Sequence, residues 1–129
     1  TAATLNSNDE LGVDIWGGAY IKQKKGRLFS QIAFGFDHYY QCNLEVVGTK
    51  GKLYTNRIFT AGENVNPVII VETQGDGLQE VVLRSDNHFR SMLLYFYDMI
   101  SGDKEKEQEY VANISQSRLL NEIREKSNG

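Results

Sequence analysis

Between Cys42 and Thr60 the chain alternates, turns and alternates again, and this pattern limits the fold more than any other stretch does. Cys42, Leu44 and Val46 take one side of the alternation, Asn43 and Glu45 the other. That period of two belongs to a half-buried strand. Gly48-Thr49-Lys50-Gly51 follows as a tight turn, in which glycine is expected to supply φ > 0 without steric cost. Leu53 to Ile58 returns as a second strand, so the stretch predicts a hairpin with a four-residue connection. It closes on Arg57-Ile58-Phe59-Thr60, a cation and an aromatic ring just ahead of a loop.

The same period recurs on both sides. Thr1 to Glu10 is polar and lacks periodicity, and reads as a linker or loose lead-in, leaving residues 11–129 as the domain. Val13, Ile15, Gly17, Ala19 and Ile21 then alternate with Asp14, Trp16, Gly18, Tyr20 and Lys22. Lys24-Lys25-Gly26 turns the chain, and Arg27 to Phe36 predicts a second strand with Leu28, Ile32, Phe34 and Phe36 on one face. Ala61 to Pro67 is a loop, because Pro67 bars a central-strand role. Val68 to Val71 is a continuous apolar run, as expected of a strand covered on both faces. Gly75-Asp76-Gly77 makes the next turn, and Leu78 to Leu83 the sixth strand.

Helix signals come only after the strands. Ser85 or Asp86 is placed to cap a helix on which Phe89, Met92, Leu93, Phe96, Met99 and Ile100 form one apolar stripe. Gly102 fits the position just past its end. Asp103 to Glu109 is a solvated charge run. A second helix is expected from Asn113–Ser115 to about Lys126, with Leu119, Leu120 and Ile123 facing inward. The predicted class is α+β: a mainly antiparallel open sheet of about six strands with two C-terminal helices on one face. Trp16, Tyr20, Phe29 and Tyr54 then fall on the opposite face. Large aromatics there point to a second cover, another domain or another copy of the chain, and mark an expected oligomer interface.

Composition removes several functions. The formal net charge of −3 gives no basic footprint for nucleic acid. The cluster Lys22, Lys24, Lys25 and Arg27 reads as a charged hairpin tip. No apolar run approaches the ~20 residues of a membrane span, and no secretory signal is visible, so a cytoplasmic home is expected. A single cysteine excludes an internal disulfide. A chain that begins on Thr1 rather than methionine is expected to be a processed form or a piece of something longer.

The nucleotide motifs fail on inspection. A phosphate-binding loop ending at Gly51-Lys52 needs glycine at position 46 and a hydroxyl at 53, where Val46 and Leu53 stand. Gly75-x-Gly77 is followed by Glu80 where a dinucleotide fingerprint needs glycine. His38, Cys42 and His88 are too few for a structural zinc site, so no metal is expected. Three candidates remain. At Asp86-Asn87-His88-Phe89 a helix opens, and its first N–H groups attract an anion, or else simply receive a cap. Arg57 and Phe59 grip a phosphate and a ring surface, or else close a strand by packing. Tyr39-Tyr40 lines a pocket, or else packs in the core or at a sheet edge.

Glu45-Val46-Val47-Gly48-Thr49-Lys50-Gly51-Lys52-Leu53 resembles the glutamate–hydrophobic–x–Gly-Thr–x–Gly–x–Leu hairpin in the C-terminal domain of the Gfo/Idh/MocA oxidoreductases. The trailing Arg57-x-Phe59-Thr60 is similar to members that reduce keto groups on nucleotide-linked sugars. Gly12-Val13-Asp14, the Gly26 turn, Asp86-Asn87-His88-Phe89 and the last helix follow in the family's order, over roughly residues 11 to 127. The resemblance implies a parent enzyme that is an NAD(P)-dependent dehydrogenase acting on a sugar or nucleotide-linked sugar. Its own N-terminal Rossmann domain would hold the NAD or NADP, and this region would wall the substrate cleft and mediate oligomer contacts. The family's Glu-Lys-Pro motif and the helix before the sheet are not in this sequence. No catalytic residue is therefore assigned here, and the chain alone is expected to bind no cofactor and to be inactive. The alternative is a stand-alone ligand-binding or assembly domain.

Overall fold

The computed structural model describes residues 1–8, 10–57, 59, 61–102 and 106–127. The expected strand end at Ile58, Thr60 of the trailing motif and Asp103 to Glu105 of the charge run lie outside the described residues. Seven strands precede two helices: β1 Ala2–Asn8, β2 Val13–Lys22, β3 Phe29–Gly35, β4 Leu44–Val47, β5 Gly51–Thr55, β6 Val68–Thr73, β7 Gly77–Val82, α1 His88–Ser101 and α2 Glu107–Ser127. The class is α+β, with antiparallel pairing throughout the named strands. Two sheets form rather than the expected one, ordered β1-β2-β3 and β4-β5-β6-β7. The chain accordingly divides into two compact units, one carrying β1, β2, β3 and α2, the other β4 to β7 and α1.

In the first unit, β1 occupies the stretch whose polarity predicts a lead-in. Only Ala3 and Leu5 give it an apolar side, and both are half-buried. Pairing with β2 supplies the order that its own composition does not, with a register shift between Asn6 and Ser7. Gly17 is buried, and a side chain there would meet Thr4 carbonyl oxygen at 2.6 Å and Leu5 Cδ2 at 2.7 Å. The helix α2 packs against β1. It begins six residues before the expected Asn113, because Glu107 and Glu109 in its first turn complement the positive end of the helix dipole. Leu119 and Ile123 are half-buried as expected, but Leu120 remains exposed. At the other end of the unit, Thr1 Oγ1 donates to Glu122 Oε1 at 2.6 Å, which holds the Glu122 carboxyl below its ordinary range.

In the second unit, β4 and β5 form the expected hairpin. Val47 pairs with Lys52, and Gly48 N–H donates to Gly51 carbonyl oxygen at 2.8 Å across the turn. The reason for its glycine differs from the one expected. Positive φ occurs at Gly12, Gly26, Gly77 and Gly102, not at Gly48 or Gly51. Gly51 instead allows a close backbone approach, since a Cβ there would fall on the carbonyl oxygen of Glu72 in β6. Along β5–β6, Lys52 Nζ lies 3.1 Å from Glu72 Oε2, and that hydrogen-bonded pair raises the Lys52 pKa. Registers place Leu44, Val46, Leu53, Ile69, Val71 and Val81 on one face, with no charged residue among them. The run Val68–Val71 lies on a central strand, but its residues are half-buried or exposed rather than covered on both faces.

The helix α1 has the expected C-terminus, with Gly102 at φ 90° and its N–H directed at the carbonyls of Asp98 and Met99. Its N-cap is Asn87, not Ser85 or Asp86: Asn87 Oδ1 accepts from Arg90 N–H at 2.9 Å. The two helices belong to different units. No residue of α1 is buried, and its stripe stands open, with Phe89 79% and Leu93 62% exposed. Periodicity reports which side of a helix is apolar, not whether a partner covers it.

Candidate functional site

Arg57 lies two residues past the end of β5 and is anchored through its backbone, where an isolated parallel bridge joins it to Cys42. Its guanidinium lies over the ring of Tyr40, 5.9 Å from the centroid. Beside it opens a cavity of about 220 Å³, walled by Tyr54, Thr55, Asn56, Asn66 and Pro67 together with aliphatic side chains of β6 and the loop before it. No carboxylate lines this cavity, and among the described residues none lies within ion-pair distance of Arg57. An unneutralised guanidinium beside amide and hydroxyl groups has the chemistry to receive an anion, because its planar fork matches a phosphate or carboxylate in two parallel hydrogen bonds.

The wall formed by residues 61–67 is tied to the start of α1. Asn66 Oδ1 accepts from Ser85 N–H at 3.1 Å, and Leu83 N–H donates to Pro67 carbonyl oxygen at 2.8 Å. Asn87 Nδ2 donates to Glu63 Oε2 at 2.6 Å. One asparagine thus caps the helix and pins the loop that borders the Arg57 cavity. Asp86 carries both carboxylate oxygens 3.1 Å from Ser91 Oγ, and His88, the first residue of α1, is exposed. The loop therefore links the two stretches singled out in the sequence, Arg57 and Asp86–His88. Phe59 is 76% exposed and does not line the cavity.

Several contributors carry no sequence signal of their own. Asn56, Asn66 and Glu63 sit among ordinary loop polars, and only folding brings Asn56 and Asn66 to the cavity wall and Glu63 to Asn87. Tyr54 also reads differently in place: its hydroxyl donates to Asn56 Oδ1 at the cavity wall. It belongs to the second sheet, whereas Trp16, Tyr20 and Phe29 share one face of the first, as the Lys22–Phe29 pairing and the 5.7 Å separation of the Tyr20 and Phe29 rings require. The four aromatics are therefore not one face of one sheet. A second depression of about 280 Å³, at the β4–β5 turn, holds the Lys52–Glu72 pair, so that cation is already neutralised. Among the described residues no group of three or more metal-ligating side chains occurs, and no helix is long and apolar enough to cross a membrane.

No family model matches the chain. Individual proteins do. A dTDP-3,4-didehydro-2,6-dideoxy-α-D-glucose 3-reductase of Actinomadura kijaniata is 28% identical over 122 residues, covering 95% of this chain and 36% of that protein. An enzyme of the same name from Saccharopolyspora spinosa is 28% identical over 94 residues, covering 73% of this chain and 28% of that protein. Crystal structures of a 3-ketoreductase from Actinomadura kijaniata superpose as well. The one with TDP-benzene and NADP in an open conformation gives a TM-score of 0.70 at 30% identity, over 83% of this chain and 34% of that one. These matches agree with the Gfo/Idh/MocA resemblance carried by the hairpin. It spans about a third of the length of the curated relatives it matches. The Gfo/Idh/MocA hairpin read in the sequence, Glu45 to Leu53, is β4, the turn and the start of β5, and it leads directly to Arg57.

Proposed function

We propose that the chain serves as the C-terminal, substrate-side domain of an NAD(P)-dependent oxidoreductase that reduces a keto group on a nucleotide-linked sugar. The observation that carries this reading is Arg57, a cation with no carboxylate partner among the described residues, held at the edge of a cavity with hydroxyl and amide walls. A diphosphate ester is the ligand such a cation recognises most directly. The similar 3-ketoreductase was crystallised with TDP-benzene and NADP, which supports a thymidine diphosphate-linked substrate here. Asp86 and His88, at the helix start tied to the cavity wall, and Phe59, two residues after Arg57, are assigned to the sugar side of the same ligand.

The described residues do not fit the dinucleotide itself. Neither α1 nor α2 opens on a glycine-rich turn after a strand, the arrangement that cradles a pyrophosphate. We therefore assign the cofactor to a separate Rossmann domain and derive no step of hydride transfer from this chain.

In the full-length enzyme, Arg57→Ala is expected to raise KM for the nucleotide-linked sugar by about tenfold to a hundredfold, the loss of one charge-assisted contact of roughly 1.5–3 kcal/mol. The kcat should change less, because the contact is present in ground state and transition state alike. KM for the corresponding free sugar should stay as in wild type. Equal KM values for wild type and variant on the nucleotide-linked sugar would refute the assignment.

A further inference from the structure

We propose that Tyr40 is the residue that positions the Arg57 guanidinium for its anionic ligand. The inference rests on the nucleotide-sugar reading above and adds a second residue to it. An arginine that must meet a diphosphate in two parallel bonds has to be held in orientation without using up the donors that make those bonds. A carboxylate partner would hold it at the cost of the donors, and among the described residues Arg57 has none. An aromatic ring holds it differently. Attraction between a cation and a ring acts through the ring face, whereas the five N–H donors of a guanidinium lie in its own plane and remain directed outward.

The geometry meets that requirement on two counts. The Arg57 guanidinium lies over the Tyr40 ring at 5.9 Å from the centroid, within the reach of such an attraction. Cys42, two residues after Tyr40, forms the backbone bridge to Arg57, so the two residues are brought together by main chain as well as by side chain. Tyr40 does not line the cavity, which leaves the space in front of Arg57 for a ligand. The role needs the ring and not the phenol oxygen.

The test measures thymidine diphosphate affinity by calorimetry on the full-length protein, with each variant's thermal midpoint as a check on folding. Tyr40→Leu should weaken binding about twofold to fivefold, the size of an exposed cation–ring contact. Tyr40→Phe and Tyr40→Trp keep a ring and should bind as wild type. In an Arg57→Ala background, Tyr40→Leu should cause no further loss, since it acts only through Arg57. Wild-type affinity in Tyr40→Leu, with Arg57→Ala impaired, would overturn the positioning role and leave the nucleotide reading standing. Loss in Tyr40→Phe, or a Tyr40→Leu loss that adds in full to that of Arg57→Ala, would also overturn it. Unchanged affinity in Arg57→Ala would overturn both.

Discussion

Gly51 shows how a residue can be recognised correctly for a reason that the structure replaces. The sequence marks it as a turn glycine, yet its φ is ordinary and its lack of a side chain is what β6 requires. Gly51→Ala is therefore expected to lower stability by about 1–3 kcal/mol, the usual cost of forcing extra atoms into a filled space. Gly75 has open space around it, so Gly75→Ala should fall within about 0.5 kcal/mol of wild type. Urea unfolding of both variants separates a steric glycine from a permissive one, and equal midpoints would remove the close-approach explanation. The candidate site follows the same division. Arg57 was legible because a cation after a strand, next to a loop, is unusual in a pattern of alternating apolar residues. Asn56 and Asn66 were not, because nothing local distinguishes a wall amide from a loop amide until β5 and β6 lie side by side.

Elements were legible where a local rule fixed them and obscure where a neighbour did. Gly102 ends α1 because a left-handed φ of 90° is a backbone demand that the sequence itself displays. The other end offers three adjacent capping residues, Ser85, Asp86 and Asn87, and local chemistry does not choose among them. Glu63 favours Asn87 by engaging its amide from the other side, leaving Oδ1 directed at Arg90 N–H. Asn87→Ala is expected to cost about 0.5–2 kcal/mol through the lost cap, whereas Ser85→Ala should be close to neutral. The same substitution releases the loop that walls the Arg57 cavity, so it should also raise KM for the nucleotide-linked sugar. A destabilised Asn87→Ala enzyme with wild-type KM would show that the loop keeps its place without the tie. The strand β1 escaped notice for the opposite reason, since its order comes from pairing with β2 rather than from residues of its own.

At the scale of the whole molecule, the described residues contain very little buried apolar surface: Ala61 is the one apolar side chain in the buried class, while Phe89, Phe96, Trp16, Tyr20 and Phe29 are all exposed. A soluble monomer seldom leaves so much large apolar surface open. We expect the 129-residue chain, produced by itself, to self-associate at tens of micromolar through surfaces that include the Trp16, Tyr20 and Phe29 face. Light scattering coupled to size exclusion reads the mass directly, and Trp16→Glu should shift it toward the monomer. A clean monomer for both proteins would rule that face out as an interface. The four-residue strand β4 bears on how ordered such assemblies are. It closes one side of the second sheet, with Leu44 to Val47 paired to β5 and, among the described residues, no strand beyond. Its outer amides and carbonyls are a template on which a stranger's backbone can crystallise into register, the first step toward a fibril. Brevity limits that template to four residues, and Glu45 sets a negative charge in the middle of it, so that each added copy would stack carboxylate upon carboxylate. The sheet edge thus carries its own brake on polymerisation.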